Sequence, residues 1–426
     1  MRMYWNGVRR LAACVLTGSA VALTASPAAA DIELAHQLGE ERNEALRKLA
    51  DRFNEQNPKG PKVVISDRYW RDANPPHMSI VAEQDEDMFL SSRKRVMPIW
   101  KLMQDAKVKL DTLAPPRMLV PSALDSRNRL VGLPIGLATP VVFFNKGELV
   151  KVGVNPDAPP QTWLEWQGVL GKLYQGGSQC PFAVSQPVST LIENTSAWHN
   201  QALVKAGKAE EFVGNGLVQV KHVAFMATWY KARYMVYHGR GGEAEKHFAS
   251  GECAVMVAPS SSYQPISKQA RFDVGVSAFP YHDGTYGTPQ NTLADGPALW
   301  VSAGKTPTEY RTIARFIAFM LTPESQVEWM VGSGYLPLNR AGLLVMESRL
   351  LKDDLLGQRV AVAQLTNRPV TTASAASSFT HRNGVRRILA EEMEAVFADK
   401  KPSKQALDDA VLRIKRGESG CCGVLH

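Results

Sequence analysis

The sequence predicts an α/β protein built as two lobes, on three observations. Strand-like and helix-like segments alternate along the chain with short connections, the pattern of sheets with helices packed on them. The opening reads β-α-β, with a strand over 31–36, an amphipathic helix over 41–54 and a strand over 62–66 (KVVIS), an order that favours a parallel sheet. At 426 residues the chain exceeds the usual size of one compact domain, so two cores are expected.

The first 30 residues stand apart from that pattern. Arg2, Arg9 and Arg10 precede an apolar run over 11–24, and Ser26-Pro27-Ala28-Ala29-Ala30 supplies small residues for cleavage. These are the parts of a secretory signal peptide over 1–30. The apolar run is shorter than the ~18–20 residues of a membrane helix, and no later stretch reaches that length. Cleavage removes three arginines and takes the net charge from +8 to +5. A mild balance spread along the chain does not suit nucleic acid.

In the helix over 41–54, Ala45, Leu46, Leu49, Ala50 and Phe53 recur at helical spacing, while Glu44, Arg47, Lys48 and Asp51 face out. Residues 67–76 are polar and aromatic and read as a loop containing Trp70. A third strand over 78–81 leads to Glu83, at the carboxyl end where open α/β sheets gather ligands. The stretch 132–146 (GLPIGLATPVVFFNK) couples a tight turn to an apolar, β-branched and aromatic run. Thr139-Pro140 bars an interior helix, since proline lacks the amide donor. It reads as a buried strand that crosses between the lobes and lines the cleft.

Further on, Thr162 and Glu165 bracket a capping box, and 180–184 is a strand. Helices are expected over 193–205 and 220–237, and strands over 252–258, 273–279 and 298–302. A helix over 308–321 is followed by one further turn over 325–332, and helices over 388–397 and 404–415 close the chain.

Of five cysteines, Cys14 leaves with the signal and Cys421-Cys422 are adjacent near the C-terminus. Cys180 and Cys253 read as a disulfide in an oxidising compartment, or as two buried thiols. There is no Cys/His spacing for zinc, so neither metal nor cofactor is expected. A secreted hydrolase is the weaker reading. The chain has no G-x-S-x-G or H-E-x-x-H, and the S-x-x-K at Ser91–Lys94 sits in a charged run that reads as a solvated helix face.

Eight motifs follow one another over nearly the whole mature chain: RFNEQNP (52–58), LATPVVFFNK (137–146), PPQTW (159–163), ENTSAW (193–198), FASGECAVM (248–256), GPALWV (296–301), SGYLP (333–337) and QAL (405–407). Together they resemble the extracellular solute-binding proteins of ABC importers, nearest to the periplasmic branch that binds sn-glycerol-3-phosphate. The resemblance implies a two-lobed periplasmic-binding-protein-like fold of type II, each lobe a central sheet flanked by helices, with the ligand cleft between. It places lobe one at 31–139 plus 291–337 and lobe two at 140–290 plus 338–426, with crossings near 138–144, 290–299 and 335–338. It implies a monomer in the periplasm that closes on a small polar solute and delivers it to a membrane permease and its ATPase, without enzymatic activity. A binding-protein fold with a degenerated pocket, acting as a receptor or structural component, is the alternative.

The resemblance also carries site residues. Glu83 matches a glutamate that binds ligand hydroxyls, as a carboxylate suits a polyol. Ser260 matches a hydroxyl at a helix start, Gly296 a glycine whose backbone approaches the ligand, and Tyr335 an aromatic anchor that also offers a hydroxyl. Ala138 stands where the family has a serine, and a pocket tryptophan falls near Ser189 or Thr190. The pocket tyrosine falls near Trp70. The phosphate-binding arginine aligns with Ser378 in one register and Arg382 in another. Asp295 is additional. A carboxylate beside Gly296 repels phosphate unless a cation pairs with it, and a choline-bearing phosphodiester or a neutral sugar tolerates it better.

Overall fold

The computed structural model describes residues 31–68, 74–82, 96–110, 123–125, 129–205, 211–285, 287–348, 355–374 and 381–420, with Met1, Asp85, Glu86, Phe89 and Arg127 besides. The expected signal segment, Trp70, Glu83, Ser378 and Cys421-Cys422 lie outside the described residues.

Ten strands among the described residues make two five-stranded sheets. The first, in the order β2-β1-β3-β10-β4, joins β1 (Ile32–Ala35), β2 (Val63–Ser66), β3 (Met78–Val81), β4 (Leu133–Pro134) and β10 (Ala298–Val301). The second, in the order β7-β6-β8-β5-β9, joins β5 (Pro140–Asn145), β6 (Cys180–Val184), β7 (Met235–Val236), β8 (Cys253–Pro259) and β9 (Val274–Ser277).

Helices α1 (Glu40–Gln56), α2 (Ile99–Asp105), α9 (Pro307–Met320), α10 (Pro323–Ser333) and α11 (Arg340–Glu347) pack around the first sheet. The second is covered by α3 (Lys146–Lys151), α4 (Trp163–Gln175), α5 (Thr195–Trp198), α6 (Leu217–Lys231), α7 (Glu243–Ala249), α8 (Tyr263–Gln269), α13 (Arg382–Phe397) and α14 (Ser403–Lys415). Helix α12 (Leu356–Leu365) lies across both, with Ala361 and Leu365 in the first core and its flank on β5 and β9.

Local pattern accounts for much of this. Helix α1 buries Ala45, Leu46, Leu49, Ala50 and Phe53, the apolar stripe three and four residues apart. Phe53 meets Phe316 edge to face at 5.2 Å. At α4 the Thr162 hydroxyl accepts from the Glu165 amide at 3.2 Å, and the Glu165 carboxylate accepts from the Thr162 amide at 2.9 Å. The expected capping box is therefore complete. All six residues of β5 are buried, and Pro140 stands first in the strand, where a missing amide is tolerated.

Five expectations need correction. The sheets are mixed: β1 is parallel to β2 and β3, but β10 is antiparallel to β3 and β4, and β5 is antiparallel to β8 and β9. Both β5 and β10 enter their sheet from the other lobe instead of through a β-α-β crossover, so nothing obliges them to run parallel. The helix expected over 193–205 is instead a π-helical stretch, Ser189–Asn194, leading into the short α5. The one over 220–237 stops at Lys231, and Met235–Val236 pairs as β7. The single turn expected over 325–332 is an eleven-residue helix, capped by Thr322 and ended by Gly334 in the left-handed region. Moreover, α11 packs on α10 and Met346 joins the first core, so 340–347 go with the first sheet and not, as expected, with the second.

The chain passes between the sheets three times, and the passages are bonded to one another. Ala138 and Asp295 exchange backbone hydrogen bonds of 2.9 Å each, and the Leu336 amide donates to the Leu137 carbonyl at 2.8 Å. Two glycines permit the contact. A Cβ on Gly296 would lie 1.8 Å from the Gly136 carbonyl oxygen, and a Cβ on Gly136 would press into the Tyr335 ring at 2.8 Å. In the second sheet, Cys180 and Cys253 occupy paired positions of β6 and β8 and are joined by a disulfide.

Candidate functional site

These passages floor a cavity of about 120 Å³ between the lobes, room for about four waters. Arg42 of α1 forms one wall. Thr139, Ala138, Asp295, Gly296 and Tyr335 come from the crossing segments, and Gln186, Ser189, Asn194, Glu245, Ser261 and Ser262 from the second lobe. A separate hollow of about 70 Å³ opens at the carboxyl ends of β1 and β3, where Ala35–Leu38 face Ser79–Ala82.

Tyr335 is brought in by the turn after α10. Its ring is buried, stacked on Trp329 with centroids 6.2 Å apart, and the Arg42 guanidinium lies 4.6 Å above its centroid. Arg42 is held by two carbonyls, its Nε donating to Ser333 at 3.2 Å and its Nη2 to Ser261 at 3.4 Å. Across the cavity, Glu245 of α7 accepts from the Ser185 hydroxyl at 2.9 Å. Burial pushes its carboxyl above the usual range, more than Ser185, Ser262 and Arg42 pull it down.

The sequence-derived residues fare unevenly. Gly296, Asp295, Ala138 and Tyr335 line the cavity together. Ser260 does not. It is fully buried, its amide donates to the Thr139 carbonyl at 2.9 Å, and its hydroxyl accepts from the Thr139 amide at 3.4 Å, so it ties β8 to β5 while Ser261 and Ser262 face the cavity. Ala138 offers only a methyl; the neighbouring Thr139 also lines the cavity, but its hydroxyl is shut away from solvent and finds no partner among the described residues.

Arg382 is not aimed at the cavity. Its Nη1 donates to Asp295 at 3.0 Å and its Nη2 to Glu193 at 3.0 Å. Arg386, one turn along α13, grips Glu193 through Nε at 2.8 Å and Nη2 at 2.7 Å, and Asp295 at 2.5 Å. The π-helical stretch turns Glu193 into this group, a use of the irregular turn that fits its rarity. Burial alone would raise the Glu193 carboxyl, but Arg386 and Arg382 outweigh it and hold it at about 2. Asp295 is likewise lowered, burial being more than offset by Arg382 and Arg386. The cation that Asp295 requires is thus supplied from within, twice.

Behind the site, α5 ends in a second buried cluster. His199 Nδ1 is 2.6 Å from the Thr195 carbonyl, its Nε2 accepts from the His282 amide at 2.7 Å, and His282 Nε2 lies 2.9 Å from His222 Nδ1. Burial lowers all three, His282 to about 4, and neighbouring histidines lower His222 and His282 further. Elsewhere in the second lobe, Cys180, His238 and Cys253 are the one group of side chains among the described residues close enough to hold a metal, and the two sulfurs are bonded to each other.

Arg42, Glu245, Thr139, Ser261 and Ser262 were not singled out by the sequence. Thr139 and Ser261-Ser262 sat inside motifs whose neighbours were chosen instead. Arg42 belongs to a helix whose charged positions read as solvated, and the helix that carries Glu245 was not among the expected elements.

Two α/β lobes sharing three passages, with a polar cavity between them, define a two-lobed binding protein of the periplasmic type. The chain belongs to the bacterial extracellular solute-binding protein family, whose model matches residues 48–344. The sn-glycerol-3-phosphate-binding periplasmic protein UgpB of Yersinia enterocolitica is 31% identical over 434 residues, covering 96% of this chain and 97% of that protein. UgpB of Pectobacterium atrosepticum is 31% identical over 431 residues, covering 96% and 95%. Among solved structures, UgpB from Mycobacterium tuberculosis in complex with glycerophosphocholine superposes with a TM-score of 0.71 at 18% identity, over 91% of this chain and 98% of that one. The cyclic alpha-maltosyl-1,6-maltose binding protein from Arthrobacter globiformis gives 0.70 at 15% identity, over 92% and 99%.

Proposed function

We propose that this protein is the periplasmic substrate-binding component of an ABC importer. It captures a small polar solute between its lobes and delivers it to a membrane permease and ATPase. The observation that carries the reading is the cavity itself, walled by α1 on one side and by Glu245, Ser261 and Ser262 on the other. A solute touching both walls binds the closed arrangement better than an open one, which is what drives closure. The relatives' names point to glycerol-3-phosphate, and the structural neighbours' to glycerophosphocholine and a maltosyl sugar. The presence of Arg42 and Glu245 on opposite walls favours a working pocket over a degenerated one.

Isothermal titration of the mature protein with glycerol-3-phosphate, glycerophosphocholine and maltose tests this. Heat from at least one, saturating at one equivalent, is expected, and silence from all three and from a wider polyol panel would sink it. Tyr335→Ala should weaken the binding by about 1–3 kcal/mol, as loss of a buried aromatic anchor does. An unchanged affinity would remove the ring from the site.

A further inference from the structure

Among the described residues, six charged side chains gather in and behind the cavity, and four of them cancel. Glu193 and Asp295 are matched by Arg382 and Arg386 through contacts of 2.5–3.0 Å. All four side chains are at most 16% exposed. A phosphate could take the donors that Arg382 and Arg386 give to Glu193 and Asp295 only by displacing a carboxylate, which would then be buried unpaired. That leaves Arg42 and Glu245. Neither has an ion-pair partner among the described residues. Arg42 rests on two neutral carbonyls and a tyrosine ring, and Glu245 on serine hydroxyls.

The two groups differ in origin as well as in sign. Arg42 stands on α1 of the first lobe and Glu245 on α7 of the second, and both line the same cavity. Among the described residues the lining is therefore dipolar: Arg42 opposes Glu245, and the charge of Asp295 is matched by the two arginines behind it.

We propose that Arg42 and Glu245 are the charged ligand-contacting pair of this cleft, and that they select polyhydroxylated solutes without net charge over phosphate monoesters. The proposal rests on the solute-binding reading above. Hydroxyls of such a solute donate to the Glu245 carboxylate and accept from the Arg42 guanidinium, each group meeting its complement. A phosphate monoester places two negative charges in a small cavity where one arginine faces one carboxylate, and like charge beside Glu245 disfavours it. The arrangement also ties recognition to closure, since the solute meets both charges only when the lobes approach.

The test is titration calorimetry on the mature wild-type protein, Glu245→Gln and Arg42→Leu, with maltose, glycerophosphocholine and glycerol-3-phosphate. Wild type is expected to bind maltose or glycerophosphocholine at least about tenfold more tightly than glycerol-3-phosphate. Glu245→Gln should narrow that ratio by about fivefold or more, by removing the repelling carboxylate. Arg42→Leu should weaken the preferred solute by about tenfold or more, with the melting temperature confirming the fold. Glycerol-3-phosphate binding as tightly as the other two overturns the proposal on wild type alone, so it stays testable if a variant fails to fold. Folded variants whose affinities all stay within about twofold of wild type overturn it as well. Heat from none of the three overturns this inference, and silence from the wider polyol panel as well overturns the solute-binding reading with it, whereas heat from glycerol-3-phosphate alone overturns only the inference.

Discussion

Glu193 and His199 lie in one buried segment, yet the clusters they join treat charge in opposite ways. Around Glu193 the fold keeps four ionised groups in the interior and neutralises them against each other, two carboxylates to two guanidiniums. Around His199 it keeps three ionisable rings and neutralises each by withholding its proton. The first solution needs every partner present, because removing one leaves a buried charge uncompensated. The second needs only that water stay out. Acid therefore attacks the two clusters differently, and so does mutation.

The largest expected effect comes from breaking the charged cluster. Glu193→Ala leaves both arginines facing Asp295 alone and should cost about 3–5 kcal/mol of stability in urea denaturation. A loss under ~1 kcal/mol would mean that the cluster behaves like a surface pair and that the contrast is false.

Next comes acid. The histidines are lowered in the folded state, so the unfolded chain takes up protons first as pH falls. Their contribution is complete above the ordinary 6.5 and is lost on the way to about 4. Glu193 is also lowered, from 4.5 to about 2, so its contribution is complete above 4.5 and is lost on the way to about 2. Melting temperature against pH should therefore fall in two stages, histidines before carboxylates. His222→Phe should flatten the first stage and leave the second, at a cost of about 1–2 kcal/mol at pH 7 because His282 loses a partner. A single stage centred near pH 3, unmoved by that change, would collapse the distinction.

The smallest expected effect is that of salt. Both clusters lie away from solvent, so raising ionic strength from 0.05 to about 0.5 M should change stability by less than ~0.5 kcal/mol in calorimetry. A larger drop would show that the charged cluster is wetter than its burial says.

What could be read from the sequence was what neighbours along the chain decide. The stripe of α1, the capping box at Thr162 and the burial of β5 all depend on residues within a few positions of each other. The directions of β5 and β10 do not, because they depend on which lobe a strand comes from. The fate of Arg382 is the clearest case. Its partners are 87 and 189 residues away, and no local pattern distinguishes an arginine that meets a ligand from one locked to two acids. Reasoning from chemistry reached half of the answer, since a carboxylate beside Gly296 demanded a cation. Arg42 was hidden for the opposite reason: a charged residue early in an amphipathic helix looks like every solvated one.

The bonding between the crossing segments sets the mechanics of the whole protein. Ala138 is pinned to Asp295 and Leu137 to Leu336, so the three passages form one ribbon and not three independent tethers. A ribbon of that kind behaves like a door hung on three knuckles around a common pin. It resists sliding and shear and leaves rotation about a single axis. Whatever solute fills the cavity, rotation about that one axis is the motion this bonding leaves to the lobes.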